Sequence, residues 1–180
     1  MTTIVAICGS LREGSSNSAL LRAAATAAPA GTHVIFYTAL GELPHFNPDL
    51  DEEGSAPPAE VQRLRELLIG ADAILVSSPE YAHGVPGAFK NMLDWLVSTG
   101  ELVGKPVAVL NASPVGGEFA QASIVETLRT MNWRVIQEAS RLEPFVKRKI
   151  AGEAVHEETL EVLRGVMRVL LSAIVRTTDN

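Results

Sequence analysis

A chain of 180 residues that is 47% hydrophobic and 20% charged carries enough apolar material for one sizeable core and leaves no room for a second, so residues 1–180 are expected to form a single domain. Its formal charge of −6, with no basic stripe and no interleaved aromatics, argues against a nucleic-acid partner; the basic triplet Lys147-Arg148-Lys149 reads as a solvated loop. The single cysteine, Cys8, excludes an intrachain disulfide, no CxxC or HExxH spacing suggests a metal, no apolar run approaches the roughly 20 residues that span a bilayer, and the start lacks a basic leader, so no membrane partner and a cytoplasmic location are expected.

Apolar runs rich in β-branched residues alternate with amphipathic patterns along the whole chain. The first run, 4–8, reads as a buried strand and leads through Gly9-Ser10-Leu11-Arg12-Glu13-Gly14-Ser15-Ser16-Asn17-Ser18 into a helix over 18–28. A second strand is expected at 33–37. It is followed by a long connection, 40–59, with Pro44, Pro48, Gly54, Pro57 and Pro58, and long ordered connections are disproportionately functional. A helix at 58–70 precedes a third strand at 73–77. The loop after it, from Ser77 to Gly87, is framed by Pro79, Gly84, Pro86 and Gly87 and opens a helix over 85–99, whose Val85, Phe89, Met92, Leu93 and Leu96 recur at helical spacing. A fourth strand at 107–111 passes through Asn111-Ala112-Ser113-Pro114-Val115-Gly116-Gly117 into a helix over 118–131. The series ends with a strand at 134–137 and a helix at 156–176, with a core stripe of Leu160, Leu163, Met167, Leu170, Leu171 and Ile174.

Five such βα units predict an α/β fold: a doubly wound, five-stranded parallel sheet covered by helices on both faces. In such sheets the ligand lies beyond the carboxyl ends of the strands, where strand order reverses. The loops after strands one, three and four are therefore the candidates.

The first of them reads as a phosphate cradle. Hydroxyls, backbone N–H groups and the Arg12 guanidinium converge at the start of a helix, whose positive end favours an anion. No Gly-Lys-Ser/Thr completes a Walker A loop and the three glycines of a dinucleotide fingerprint are missing. Asn17 is read either as the helix N-cap or as a group serving both the helix and a ligand. In the second loop, constrained backbone can face a flat heterocycle, and Tyr81 either lies against such a ring or plugs the end of the sheet. Glu80 lacks the partner a general base needs, His83 reads as a bystander, and Ser113 is outside any Gly-x-Ser-x-Gly elbow. Gly116 and Gly117 permit close backbone approach to a ligand, or a tight turn. No residue stands out as catalytic. Backbone placed to hold a ligand, with few reactive side chains, is the profile of a protein whose cofactor supplies the reactivity.

Gly9-Ser10-Leu11-Arg12 with Gly14-Ser15 and Asn17, Pro79-Glu80-Tyr81 with Val85-Pro86-Gly87, Lys90-Asn91 with Asp94-Trp95-Leu96, and Leu43-Pro44 with Phe46-Asn47-Pro48 together resemble the flavodoxin-like NAD(P)H-dependent FMN reductases, a group that includes quinone, azo and chromate reductases. The resemblance is clear from residue 4 to about 117. It implies the strand order 2-1-3-4-5 and a non-covalent FMN, with its phosphate on Ser10, Arg12, Ser15, Ser16, Asn17 and Ser18. The flavin ring would rest against Pro79, Glu80, Tyr81 and Ala82, with Ser113, Gly116 and Gly117 on its other side. It further implies NADPH or NADH as hydride donor, a small acceptor (quinone, free flavin, azo compound or metal oxyanion), and a homodimer or homotetramer. The alternative is a flavodoxin-type electron carrier that does not oxidise NAD(P)H, although the Thr-rich phosphate loop of flavodoxins is missing. Three positions depart from the family pattern: Glu13 where Lys is common, Ser16 where an aromatic is common, and Ala82 where Asn is common.

Overall fold

A computed structural model of the chain describes residues 1–52, 54, 56–112, 116–143, 150–151 and 154–175. Strands β1 (Thr2–Cys8), β2 (Thr32–Tyr37), β3 (Ala73–Ser77), β4 (Pro106–Asn111) and β5 (Arg134–Val135) form a parallel sheet in the order β2-β1-β3-β4-β5. The helices are α1 (Ser16–Thr26), α2 (Ala59–Ile69), α3 (Gly87–Leu96), α4 (Glu118–Thr130) and α5 (Glu157–Val175). The doubly wound topology expected from the alternating pattern is the one observed.

Alternate residues of each strand feed opposite layers. Val5, Ile7, Ile74, Val76, Val107 and Val109 point to a core closed by Leu64 and Leu68 of α2, Phe89 and Leu93 of α3, and Ile124 and Leu128 of α4. Ile4, Ala6, Leu75, Ala108 and Leu110 meet Leu20, Leu21 and Ala24 of α1 and Leu163, Met167 and Leu170 of α5. Each large side chain buried in this way stabilises the fold by about 1.5–3 kcal/mol. This two-sided burial is why β3 and β4 read as unbroken apolar runs.

The fifth strand differs from the expected 134–137. Only Arg134 and Val135 pair with β4 before a 3-10 turn, Gln137–Ala139, swings outward, and β6 (Arg141–Leu142) then returns to pair with β4 at Leu110 and Asn111. The Ser140 hydroxyl fills the gap, accepting from the Val109 N–H (3.0 Å) and donating to the Ile136 carbonyl (2.9 Å). A serine thus replaces one rung of the ladder at a sheet edge, and the resulting kink is hidden from periodicity. Beyond it, β7 (Ile150–Ala151) and β8 (Ala154–Val155) form a small antiparallel pair. α3 starts later than the expected 85 because Val85 precedes Pro86, which disfavours helical backbone there, and it ends at Leu96 rather than 99. The expected last-helix residue Arg176 and the triplet Lys147-Arg148-Lys149 lie outside the described residues.

Residues 40–52 of the long connection form a strap fastened to α3. Trp95 donates its indole N–H to the Pro44 carbonyl (2.8 Å), the Asn91 amide donates to the same carbonyl (2.9 Å), and Asn91 Oδ1 accepts from the Phe46 N–H (2.8 Å). Phe46 meets Trp95 edge-on, with centroids 5.0 Å apart. At the entrance to the strap, burial and the neighbouring Glu42 push the Tyr37 hydroxyl up to about 12.

Candidate functional site

At the carboxyl end of the sheet, Cys8, Ser77 and Leu110 share one rung, and the chain leaves β1, β3 and β4 immediately beyond it. This is the reversal point, since β1 is followed by β2 on one side and flanked by β3 on the other. Gly9 continues the pairing through its N–H to the Ser77 carbonyl (2.8 Å), and a Cβ at this position would lie 2.4 Å from Ser78 Oγ. Only glycine lets the two loops come this close.

Asn17 ties three loops together. Its side chain is 4% exposed, and its Oδ1 accepts from the Ser77 hydroxyl (2.8 Å) and from the Ala112 N–H (3.0 Å). The exits of β3 and β4 are thereby fastened to the first turn of α1. The N-cap is Ser15, whose buried hydroxyl accepts from the Asn17 N–H (3.2 Å), so the capping role considered for Asn17 belongs to its neighbour. The first intrahelical bond runs from the Ala19 N–H to the Ser15 carbonyl, which leaves the earlier N–H groups of Ser16 and Ser18 outside the helical ladder. No acidic residue occupies the first turn. Ser10 accepts from the Arg12 N–H (3.2 Å) and shapes the turn that carries the exposed guanidinium. Hydroxyls, N–H donors and one cation around an uncompensated positive helix end fit a phosphate group. Glu13, exposed, is the one opposing charge in the loop.

The second loop is a tight turn. Tyr81 and Gly84 exchange both backbone hydrogen bonds (3.0 and 2.9 Å), while Ala82 and His83 between them have φ of 51° and 59°. Two central residues at positive φ define the primed turn that Asn and Gly favour; in Ala and His it costs roughly 1–2 kcal/mol each. Tyr81 stands 57% exposed above it, so it does not plug the end of the sheet.

Glu80 turns away from any base role toward structure: its carboxylate accepts from the Ala120 N–H (2.9 Å), capping the first turn of α4. The second loop is thereby pinned to the third. Gly117 begins α4 at φ 112°, where a Cβ would strike the Asn111 side chain at 2.8 Å, and Gly116 precedes it at φ 74°. Ser113 lies outside the described residues.

The structure thus gathers Ser10, Arg12, Ser15, Ser16, Asn17 and Ser18 at one helix start. Pro79, Glu80, Tyr81 and Ala82 lie in a loop fastened to α4 beside Gly116 and Gly117. Two participants escape a reading of the sequence. Ser77 is hidden at the end of an apolar strand, and Phe119 stacks on His83, with centroids 4.2 Å apart and planes 13° from parallel. Phe119 does leave a trace, because it is out of phase with the buried stripe Ala120, Ile124 and Leu128. Among the described residues no group of three or more His, Cys, Asp or Glu could hold a metal, and no helix is long and apolar enough to cross a membrane.

The model of the family described as NADPH-dependent FMN reductase matches residues 2–145. The chain belongs to this family. A quinone reductase of Escherichia coli strain K12 is 31% identical over 169 residues, covering 90% of this chain and 89% of that one. An NAD(P)H-dependent FMN reductase of Pseudomonas aeruginosa is 40% identical over 128 residues, covering 70% of this chain and 66% of its own length. Among solved structures, the flavoenzyme NAD(P)H:(acceptor) oxidoreductase FerB of Paracoccus denitrificans superposes with a TM-score of 0.83 at 28% identity, over 98% of both chains. Membership makes this chain an oxidoreductase of a flavin- and NAD(P)H-dependent family. The match also runs past residue 117, through the interrupted edge strand.

Proposed function

We propose that this FMN reductase family member is a single-domain, cytoplasmic NAD(P)H-dependent oxidoreductase that delivers two electrons through FMN to a small acceptor such as a quinone, free flavin, azo compound or metal oxyanion. The observation that carries the reading is the Asn17 tie, because it holds a phosphate-type donor set and the exits of β3 and β4 in one fixed relation. The similarity to proteins named quinone reductase and NAD(P)H-dependent FMN reductase supports it.

In this reading Ser10, Arg12, Ser15, Ser16, Asn17 and Ser18 hold the phosphate and Pro79, Glu80, Tyr81 and Ala82 support one side of the ring. Ser113, Gly116 and Gly117 border the other. When bound, the flavin would supply the hydride and electron chemistry that no side chain of this chain offers. The chain's own contribution is positional. Arg12 neutralises the phosphate from the exposed side, and the start of α1 adds fixed partial charge that needs no rearrangement. Glu80, held on the Ala120 N–H, keeps the ring-facing backbone of residues 79–82 at a constant distance from α4. With Ala82 in place of Asn, one amide contact to the ring is lost. A homodimer or homotetramer belongs to the same proposal.

Arg12→Ala tests the phosphate assignment. Titration of apoprotein with FMN, followed by the change in flavin fluorescence, is expected to show affinity reduced about 10-fold or more, the worth of one exposed charge-assisted contact, with an unchanged melting temperature. Equal affinity in variant and wild type would remove Arg12 from the site.

A further inference from the structure

The stacked pair His83 and Phe119 plays no part in holding the flavin as described above. Burial does not explain it, since Phe119 is 57% exposed at the start of α4, off the buried stripe, and His83 is exposed as well. Backbone economy does not explain it either, because His83 occupies a left-handed position that an Asn or Gly would take without strain. Strained residues that persist at a ligand-binding edge point toward function. The two rings come from different elements, the turn after β3 and the first turn of α4. These are the same two elements that the Glu80–Ala120 hydrogen bond locks together, so their spacing is preset. Stacked on each other, both rings remain exposed to solvent. Tyr81, 57% exposed, rises from the same turn.

We propose that the His83–Phe119 stack is the seat for a flat, uncharged electron acceptor and that these two residues set acceptor preference. This rests on the oxidoreductase reading of the same cleft. A third aromatic ring extends an existing offset stack and covers exposed apolar surface at the same time. A neutral quinone suits the seat better than a nicotinamide dinucleotide does, because the charged groups on the two elements are the carboxylates Glu80 and Glu118, which repel phosphates.

The experiment compares FMN-loaded wild type, Phe119→Ala, Phe119→Trp and His83→Ala with two acceptors, 2-methyl-1,4-naphthoquinone and ferricyanide, at saturating NAD(P)H. Ferricyanide is octahedral and cannot stack. Phe119→Ala is expected to raise the KM for the naphthoquinone about 10-fold relative to that for ferricyanide, with kcat changed less than about twofold. His83→Ala is expected to act in the same direction, and Phe119→Trp to restore the wild-type ratio. The naphthoquinone Kd, read without reductant from quenching of flavin fluorescence, should rise in parallel. A KM and Kd for the naphthoquinone that do not move in Phe119→Ala or His83→Ala, or that move together with the ferricyanide KM, would overturn the assignment while leaving the oxidoreductase reading intact. A wild-type protein that retains no FMN would overturn both.

Discussion

Asn17 shows how much one side chain carries at this site. A single amide oxygen satisfies a buried hydroxyl and a buried backbone N–H from two different strand exits. Its loss leaves the Ala112 N–H without that acceptor, at a cost of about 1–3 kcal/mol. Asn17→Ala is therefore expected to lower the stability measured by urea unfolding by about 2 kcal/mol and to weaken FMN binding as the exits of β3 and β4 come loose from α1. Unchanged stability would show that the tie is not formed in solution. The Ser/Arg character of the first loop was legible in the sequence because phosphate chemistry needs those residue types close together in the chain. The partners of Asn17 were not, since Ser77 and Ala112 become neighbours only through sheet pairing. The Glu80–Ala120 contact was hidden for the same reason: its two ends are remote in sequence and meet across the cleft.

Among the elements, the described part of the strap from β2 to α2 is held by side-chain fastening more than by regular structure. Both carboxylate oxygens of Asp51 accept from the single nitrogen Nη2 of Arg65 (2.8 and 2.9 Å), and Ser98 donates a further hydrogen bond (2.6 Å), with the Asp51 and Arg65 side chains only 10% and 16% exposed. Arg65 also donates to the Trp95 carbonyl, joining the strap, α2 and the end of α3. Removing one partner of such a pair strands the other charge. Asp51→Ala is expected to cost about 3 kcal/mol in chemical denaturation, a loss that the surface pair Arg63–Glu60, at 67% and 37% side-chain exposure, would not produce. A loss below that of Glu60→Ala would contradict this account of the strap. Its length singled it out in the sequence, and the Asn91 and Trp95 motif lies where it holds Pro44 and Phe46. The central strands were readable because both of their faces are buried. The start of the fifth was readable as well, but its early end was not, because a serine hydroxyl stands in for the ladder where the edge kinks away.

For the whole molecule, the strand order brings the exits of β1, β3 and β4 to one edge while two apolar layers hold the sheet rigid beneath them. The chain therefore presents three loops fastened together at one edge of the sheet, and family membership says which kind of cofactor the family serves. The alternating apolar pattern made the doubly wound sheet legible up to its kinked edge, because every βα unit repeats the same burial requirement, while the strand order was implied by the family resemblance. The acceptor was not legible in that pattern: the surface that would meet it is built from a strained turn and an off-phase phenylalanine.

The central claim is that this chain binds FMN at the start of α1 and reduces it with a nicotinamide donor. Its most direct test is an anaerobic absorbance titration of the purified protein, incubated with FMN and desalted, using NADPH and then NADH. The account predicts a yellow protein with stoichiometric flavin, bleached by at least one of the two donors and recoloured on addition of a quinone. A colourless protein after desalting, or a bound flavin that neither donor reduces, would contradict it.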